Sequence, residues 1–232
     1  MGEVSAGQYV PLGAQFENAS GGAIAVKDAV KVGEPIGFAN IGGADQIWIW
    51  NTSSSTWTKY FYFSSRGQTR WVKDGATGVE TTDTIPAGTT FFFLRSGGAT
   101  GSTTLTLAGG VKDLAGSSSF SVTAGQLAFV SNPWPMTIEI KDFYQYVTSG
   151  NPVGFANIGG ADQIWLWDTP TSTWTKYFYF SSRGATRWVK EGATGVETTD
   201  TIPVGKGIFF QRSGGASATE PLVVTFKNAT AE

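Results

Sequence analysis

The sequence predicts an all-β protein of two homologous domains in tandem, each a β-sandwich or small β-barrel. Three observations predict it. Residues 37–98 and 154–215 align without a gap at an offset of 117, and 51 of the 62 positions are identical. Side-chain character alternates at period two, and no segment of ten or more residues carries helical spacing. Glycine is frequent, 31 of 232 residues, and punctuates the alternating runs where turns are needed.

The repeat extends more weakly beyond its best-matched part. Ser5-Ala6-Gly7-Gln8 matches Thr123-Ala124-Gly125-Gln126, and Leu105 matches Leu222. Each unit is therefore the size of one domain. The expected division is 1–109, a linker over 110–122 with Gly- and Ser-rich composition, and 123–232.

Within the first unit, Gln46-Ile47-Trp48-Ile49-Trp50 puts both Ile on one face and both Trp on the other, as in a strand covered twice. Asn51-Thr52-Ser53-Ser54-Ser55 reads as a turn, and the run from Thr56 to Phe63 returns as the second arm of a hairpin. Arg70-Trp71-Val72-Lys73 is a short strand stopped by Asp74-Gly75. Ile85-Pro86-Ala87-Gly88 turns the chain into a strand over 89–95, and Thr103-Thr104-Leu105-Thr106-Leu107 completes the unit. Comparing the copies separates the faces. Phe91 and Phe93 correspond to Ile208 and Phe210, which predicts core, whereas Leu94 corresponds to Gln211, which predicts a partly wet face.

Composition closes most routes to catalysis. With no His and no Cys, the chain has no Ser-His-Asp triad, thiol nucleophile, iron–sulfur centre, disulfide or zinc site of the usual ligands. No cofactor is expected. A net charge of −2 leaves no basic footprint for nucleic acid. No apolar run approaches the roughly 18 residues of a membrane span, so none is expected. Recurring carboxylates are the remaining catalytic option: Asp45, Asp74, Glu80 and Asp83, with copies Asp162, Glu191, Glu197 and Asp200. Nothing in their spacing selects a pair, and hydrogen bonding to turn amides is the expected use. The chain is expected not to be an enzyme.

The aromatic residues carry three competing readings. Tyr60 and Tyr62 share one face of their strand, opposite Trp57, Phe61 and Phe63. With the Phe face inside, Tyr60 and Tyr62 join Trp48, Trp50 and Trp71 in a platform suited to stacking on sugar rings, repeated as Tyr177, Tyr179, Trp165, Trp167 and Trp188. That is the arrangement of a two-site carbohydrate-binding module with glycans as partners. Alternatively the rings form a second hydrophobic layer, covered by the other repeat or by a loop. The third reading is assembly. Tyr9 and Val10 near one end, and Leu222, Val223, Val224 and Phe226 near the other, lie in strand-like segments able to pair with a neighbouring chain's sheet edge.

The series Ala44-Asp45-Gln46-Ile47-Trp48-Ile49-Trp50, Tyr60-Phe61-Tyr62-Phe63, Arg70-Trp71, and Ile85-Pro86-Ala87-Gly88 before Phe91-Phe92-Phe93-Leu94-Arg95-Ser96-Gly97 resembles a module of uncharacterised exported bacterial surface proteins. Those show a DQIxxW…YYY…W…IPAGxGFFxRR pattern. The first copy departs from it with Thr90 in place of Gly, the second with Val204 in place of Ala. The resemblance implies export and a β-rich surface role, and brings no activity with it. The expected function is a secreted, non-catalytic structural protein at the cell surface. It would be a fibre or surface subunit forming a homo-oligomer or polymer through strand pairing and aromatic contacts, with the carbohydrate-binding module as the alternative.

Overall fold

A computed structural model of the chain describes residues 2–18, 20–76, 78–107, 109–111, 116–193, 195–215 and 219–227. The first unit contains β1 (Gly2–Val4), β2 (Tyr9–Gly13), β3 (Phe16–Glu17), β4 (Ile24–Ala25), one helical turn (Val26–Ala29), β5 (Val30–Val32), β6 (Gln46–Asn51), β7 (Thr56–Ser65), β8 (Gln68–Lys73), β9 (Thr84–Ile85), β10 (Thr90–Leu94), β11 (Thr103–Leu107) and β12 (Gly110–Val111). Five strands form an antiparallel sheet in the order β2-β10-β6-β7-β8, and three form a smaller one, β1-β11-β5. Inward residues of both sheets, among them Ile47, Tyr60, Trp71, Phe91 and Phe93 from the larger and Val4, Val30 and Leu105 from the smaller, make one buried cluster. The unit is thus a two-layer sandwich.

The second unit repeats the arrangement with β13 (Ser117–Val122), β14 (Leu127–Ser131), β15 (Ile138–Glu139), β16 (Val147–Ser149), β17 (Gln163–Asp168), β18 (Thr173–Ser182), β19 (Ala185–Lys190), β20 (Thr201–Ile202), β21 (Gly207–Gln211) and β22 (Leu222–Lys227). Its sheets run β14-β21-β17-β18-β19 and β13-β22-β16. All-β architecture, the hairpin and the inward 91/93 face are as the alternation predicts. Among the described residues no helix is long and apolar enough to cross a membrane.

Three local differences from expectation have physical causes. The stretch with linker composition carries β12 and β13, and residues 112–115 of it lie outside the described residues. Ser-Ser-Ser-Phe-Ser-Val looks like a linker by content, yet its alternation turns Ser118, Phe120 and Val122 inward while Ser117, Ser119 and Ser121 face water. Second, β8 begins at Gln68 because Arg66 (φ 51°) and Gly67 (φ 75°) form a two-residue turn with both φ positive, the geometry that matches strand twist. Third, Val4 pairs with Thr103 but Val122 with Leu222, so by register Leu105 corresponds to Val224 and not to Leu222.

Candidate functional site

Asp45 is fully buried and joins three segments. Its Oδ2 accepts from Arg95 Nη1 at 2.7 Å and from the Ile36 amide at 2.9 Å, and its Oδ1 accepts from the Ser96 amide at 2.9 Å. Arg95, 3% exposed, also donates to the Glu34 carbonyl at 2.7 Å. In the second unit Asp162 holds Arg212 at 2.6 Å and the amides of Val153 and Ser213 at 2.9 Å each. Two backbone amides and the guanidinium Nη1 meet the carboxylate, so this pair clasps the loop before β6 to the end of β10. Amide bonding is as expected for Asp45, but its arginine partner is not foretold. The signal was there: Arg95 and Arg212 stand in both copies at the end of apolar strands.

A second carboxylate is held at the sandwich rim. Tyr60 donates its hydroxyl to Asp83 at 2.7 Å, and Lys73 Nζ lies 2.9 Å from the same oxygen; Tyr177, Lys190 and Asp200 repeat this at 2.7 and 3.1 Å. The Tyr60 and Lys73 hydrogen bonds hold the Asp83 carboxyl below its ordinary value, as Tyr177 and Lys190 do for Asp200. Burial, then the Asp83 hydrogen bond, pushes the Tyr60 hydroxyl well up, and Tyr177 shares this. Glu80 pairs with Lys27 at 3.0 Å, and Asp74, Glu191 and Glu197 are exposed.

The expected aromatic platform divides between two faces. Strand register decides this: Tyr60 lies opposite Ile47, and Tyr62 opposite Trp71, whereas Trp48 lies opposite Lys59 and Trp50 opposite Trp57. Tyr60 and Trp71 are core residues with Tyr62 packed on them, and Tyr177, Trp188 and Tyr179 do the same in the second unit. Trp48 and Trp50, with Trp57 and Phe92, lie on the outer face. There they meet the outer face of the second unit, Trp165, Trp167, Trp174 and Phe209. The ring layer is covered by the other repeat.

This joint has approximate two-fold symmetry. Phe129 stacks on Phe209 at 4.2 Å, and Phe92 packs against Trp167 at 5.7 Å, Trp174 at 6.0 Å and Phe129 at 5.0 Å. Trp50 donates its indole N–H to the Leu127 carbonyl at 2.6 Å, and Trp167 donates to Tyr9 at 2.9 Å. Gly13 N donates to the Gly205 carbonyl at 3.0 Å, and Ser131 N to that of Gly88 at 2.8 Å. The indole and amide bonds recur with the units exchanged, and Phe209 meets Trp50 at 5.9 Å and Trp57 at 6.0 Å as Phe92 meets Trp167 and Trp174, as in an isologous interface; Phe129 breaks the symmetry, since Pro11 stands in its place beside Phe92. Near the pseudo-axis, equivalent positions face each other and only one side chain fits. A Cβ on Gly207 would overlap the Thr90 side chain, and one on Gly13 would lie 2.6 Å from Ser131 Cβ. Thr90 fills the space that Gly207 leaves.

The expected assembly residues are placed differently. β22 is the central strand of its sheet, hydrogen-bonded to β13 on one side and β16 on the other, with Leu222, Val224 and Phe226 in the core and Val223 half-buried. Leu222, Val223, Val224 and Phe226 therefore present no free edge, because the supposed linker supplies their outer partner. Tyr9 and Val10 do lie on an edge strand, β2. The Tyr9 ring and carbonyl are taken into the joint, while Val10 lines an open recess beside it. No family model, curated protein or solved structure matches this chain.

Proposed function

We propose that the chain is a non-catalytic structural subunit of an exported bacterial surface layer or fibre, held to neighbouring copies by sheet edges and aromatic contacts. The joint carries this reading. Two weakly charged β units are already fastened to each other through ring-rich sheet faces and edge-strand amides, the means by which copies of such a chain would associate. Engagement of the buried and half-buried carboxylates in clasps and tyrosine clamps supports a scaffold role. The large exposed apolar side chains also recur in both units, Phe38 and Phe155 at 51% exposure, Val79 at 67% and Val196 at 66%. They give each unit the same outward contact points. Sedimentation velocity over a concentration series, with electron microscopy of the concentrated sample, tests the reading. Discrete larger species weakened by Phe38→Ser with Phe155→Ser are expected, and a monomer at every concentration contradicts it.

One observation favours glycan contact as a second reading. Tyr9, Trp48, Trp57, Trp167 and Trp174 line a shallow pocket of about 220 Å³ at one end of the joint. Flat rings around an open pocket suit a sugar face, and rings of both units line this one. Quenching of tryptophan emission by polysaccharides, lost in Trp57→Ala, is the expected result. Unchanged emission removes this reading.

A further inference from the structure

The pocket of about 220 Å³ at one end of the joint has only aromatic side chains in its wall, four from the first unit and three from the second. Its rings stand steeply to one another. Tyr9 meets Trp48 at 75°, Trp48 meets Trp57 at 57°, and Phe92 meets Trp167 at 78° and Trp174 at 75°. Rings so inclined form an enclosure, and a further ring completes such a set by edge-to-face contact. Polar partners are scarce. Trp48 spends its indole N–H on Gln46 at 2.7 Å, and Trp167 spends its own on the Tyr9 carbonyl at 2.9 Å. No carboxylate, amide or ammonium lines the wall, so hydroxyl groups carried inside would go unanswered. A cation is opposed as well, because Lys59 Nζ already lies 4.0 Å from the centre of the Trp48 ring.

The other half of the joint shows what such walls hold. There Phe129 seats its ring 4.2 Å from Phe209, 5.0 Å from Phe92 and 6.0 Å from Trp57. With the units exchanged these neighbours become Phe92, Phe209 and Trp174, and all three line the pocket. The residue in the place of Phe129 is Pro11, opposite Phe92 as Phe129 is opposite Phe209, and it brings them no aromatic ring. We propose that this pocket binds a small uncharged aromatic molecule of one or two fused rings. The ring character of the occupant follows from Phe129 and from the wall. Its size follows from the volume, which is below the roughly 300 Å³ at which sites for drug-sized ligands begin. The pocket is the one to which the second functional reading gives a sugar, but the occupant differs, and neither functional reading has to hold for it.

The test is an NMR titration of the full chain with p-cresol, with 4-methylcyclohexanol as a saturated ligand of similar outline and cellohexaose as the sugar. Saturable binding of p-cresol with a Kd of about 1 mM or below is expected. Binding of 4-methylcyclohexanol should be about fivefold weaker, since it keeps the apolar area but not the aromatic quadrupole. Trp57→Leu removes one wall and should weaken p-cresol binding about tenfold. Pro11→Phe supplies a ring from β2 and should weaken it by a similar factor with the thermal midpoint kept or raised, so that lost binding is not lost folding. No saturation by about 10 mM p-cresol, equal affinity for p-cresol and 4-methylcyclohexanol, or p-cresol affinity unchanged in both variants overturns the proposal. Binding of cellohexaose without binding of p-cresol removes this occupant and keeps the sugar reading. Binding of p-cresol with cellohexaose silent does the reverse, and a chain that binds p-cresol yet never assembles keeps this site and removes the structural reading.

Discussion

The two units share a frame but not a filling. The second packs Phe120, Trp134, Phe143 and Phe226 into its sandwich, where the first has Gly2, Phe16, Ala29 and Leu107 at the corresponding places. It also inserts Tyr144, whose hydroxyl reaches the buried Asp162 at 3.2 Å and whose own ionisation is pushed well up by burial and by that carboxylate. These differences fall outside residues 37–98 and 154–215. The duplicated part therefore supplies four strands of each large sheet, the Asp–Arg pair and the tryptophans of the joint, while the flanking segments add the edge strands β2 and β14 and differ in the side chains they pack into each core.

Breaking the clasp is expected to have the largest effect. Asp162→Ala leaves Arg212 buried without its counter-charge and should cost ~3–5 kcal/mol in urea denaturation, with Asp45→Ala slightly less because no tyrosine hydroxyl is lost there. Negligible losses would show that the pairs do not fasten the loops. Phe120→Ala should cost about 1–3 kcal/mol, below the value for a fully buried ring because Phe120 is half-buried. Unchanged stability would show that this ring does not help to hold the second core. A smaller effect concerns pH. Asp83 and Asp200 are held below their ordinary 3.8, so their contribution is present above that pH and is lost as pH falls further. Tyr60 and Tyr177 are raised above 10.0, so theirs is present below pH 10 and fades as pH climbs past it. Tyr60→Phe with Tyr177→Phe should flatten the alkaline limb of a thermal-midpoint profile and leave the Arg–Asp clasps intact. The smallest effect is at the hairpin turns: Arg66→Asn relieves a left-handed residue and should add about 0.5 kcal/mol, as should Arg183→Asn.

Much of this frame was legible in the sequence, because period-two alternation is a one-dimensional signal and the internal repeat supplied its own comparison. Phe91/Ile208 and Phe93/Phe210 located the core face without any other relative. The platform was not legible, since whether Tyr60 sits beside Trp48 or beside Ile47 depends on cross-strand register, which no single strand encodes. β13 was hidden by serine content, and the clasp by the separation of Asp45 and Arg95 along the chain. Thr90 and Gly207 looked like ordinary divergence until the pseudo-axis brought them face to face.

That facing pair gives the most direct test of the joint. In the full chain, Gly207→Thr alone should set two threonine side chains against each other and cost about 1–3 kcal/mol, with a red shift of tryptophan emission as the ring layer opens. Adding Thr90→Gly exchanges the two residues and should restore most of the lost stability and the emission maximum, a coupling read from the double-mutant cycle. A double variant no more stable than Gly207→Thr alone, with Gly207→Thr itself harmless to the emission of the joint, would contradict the packing of the two sheets on each other.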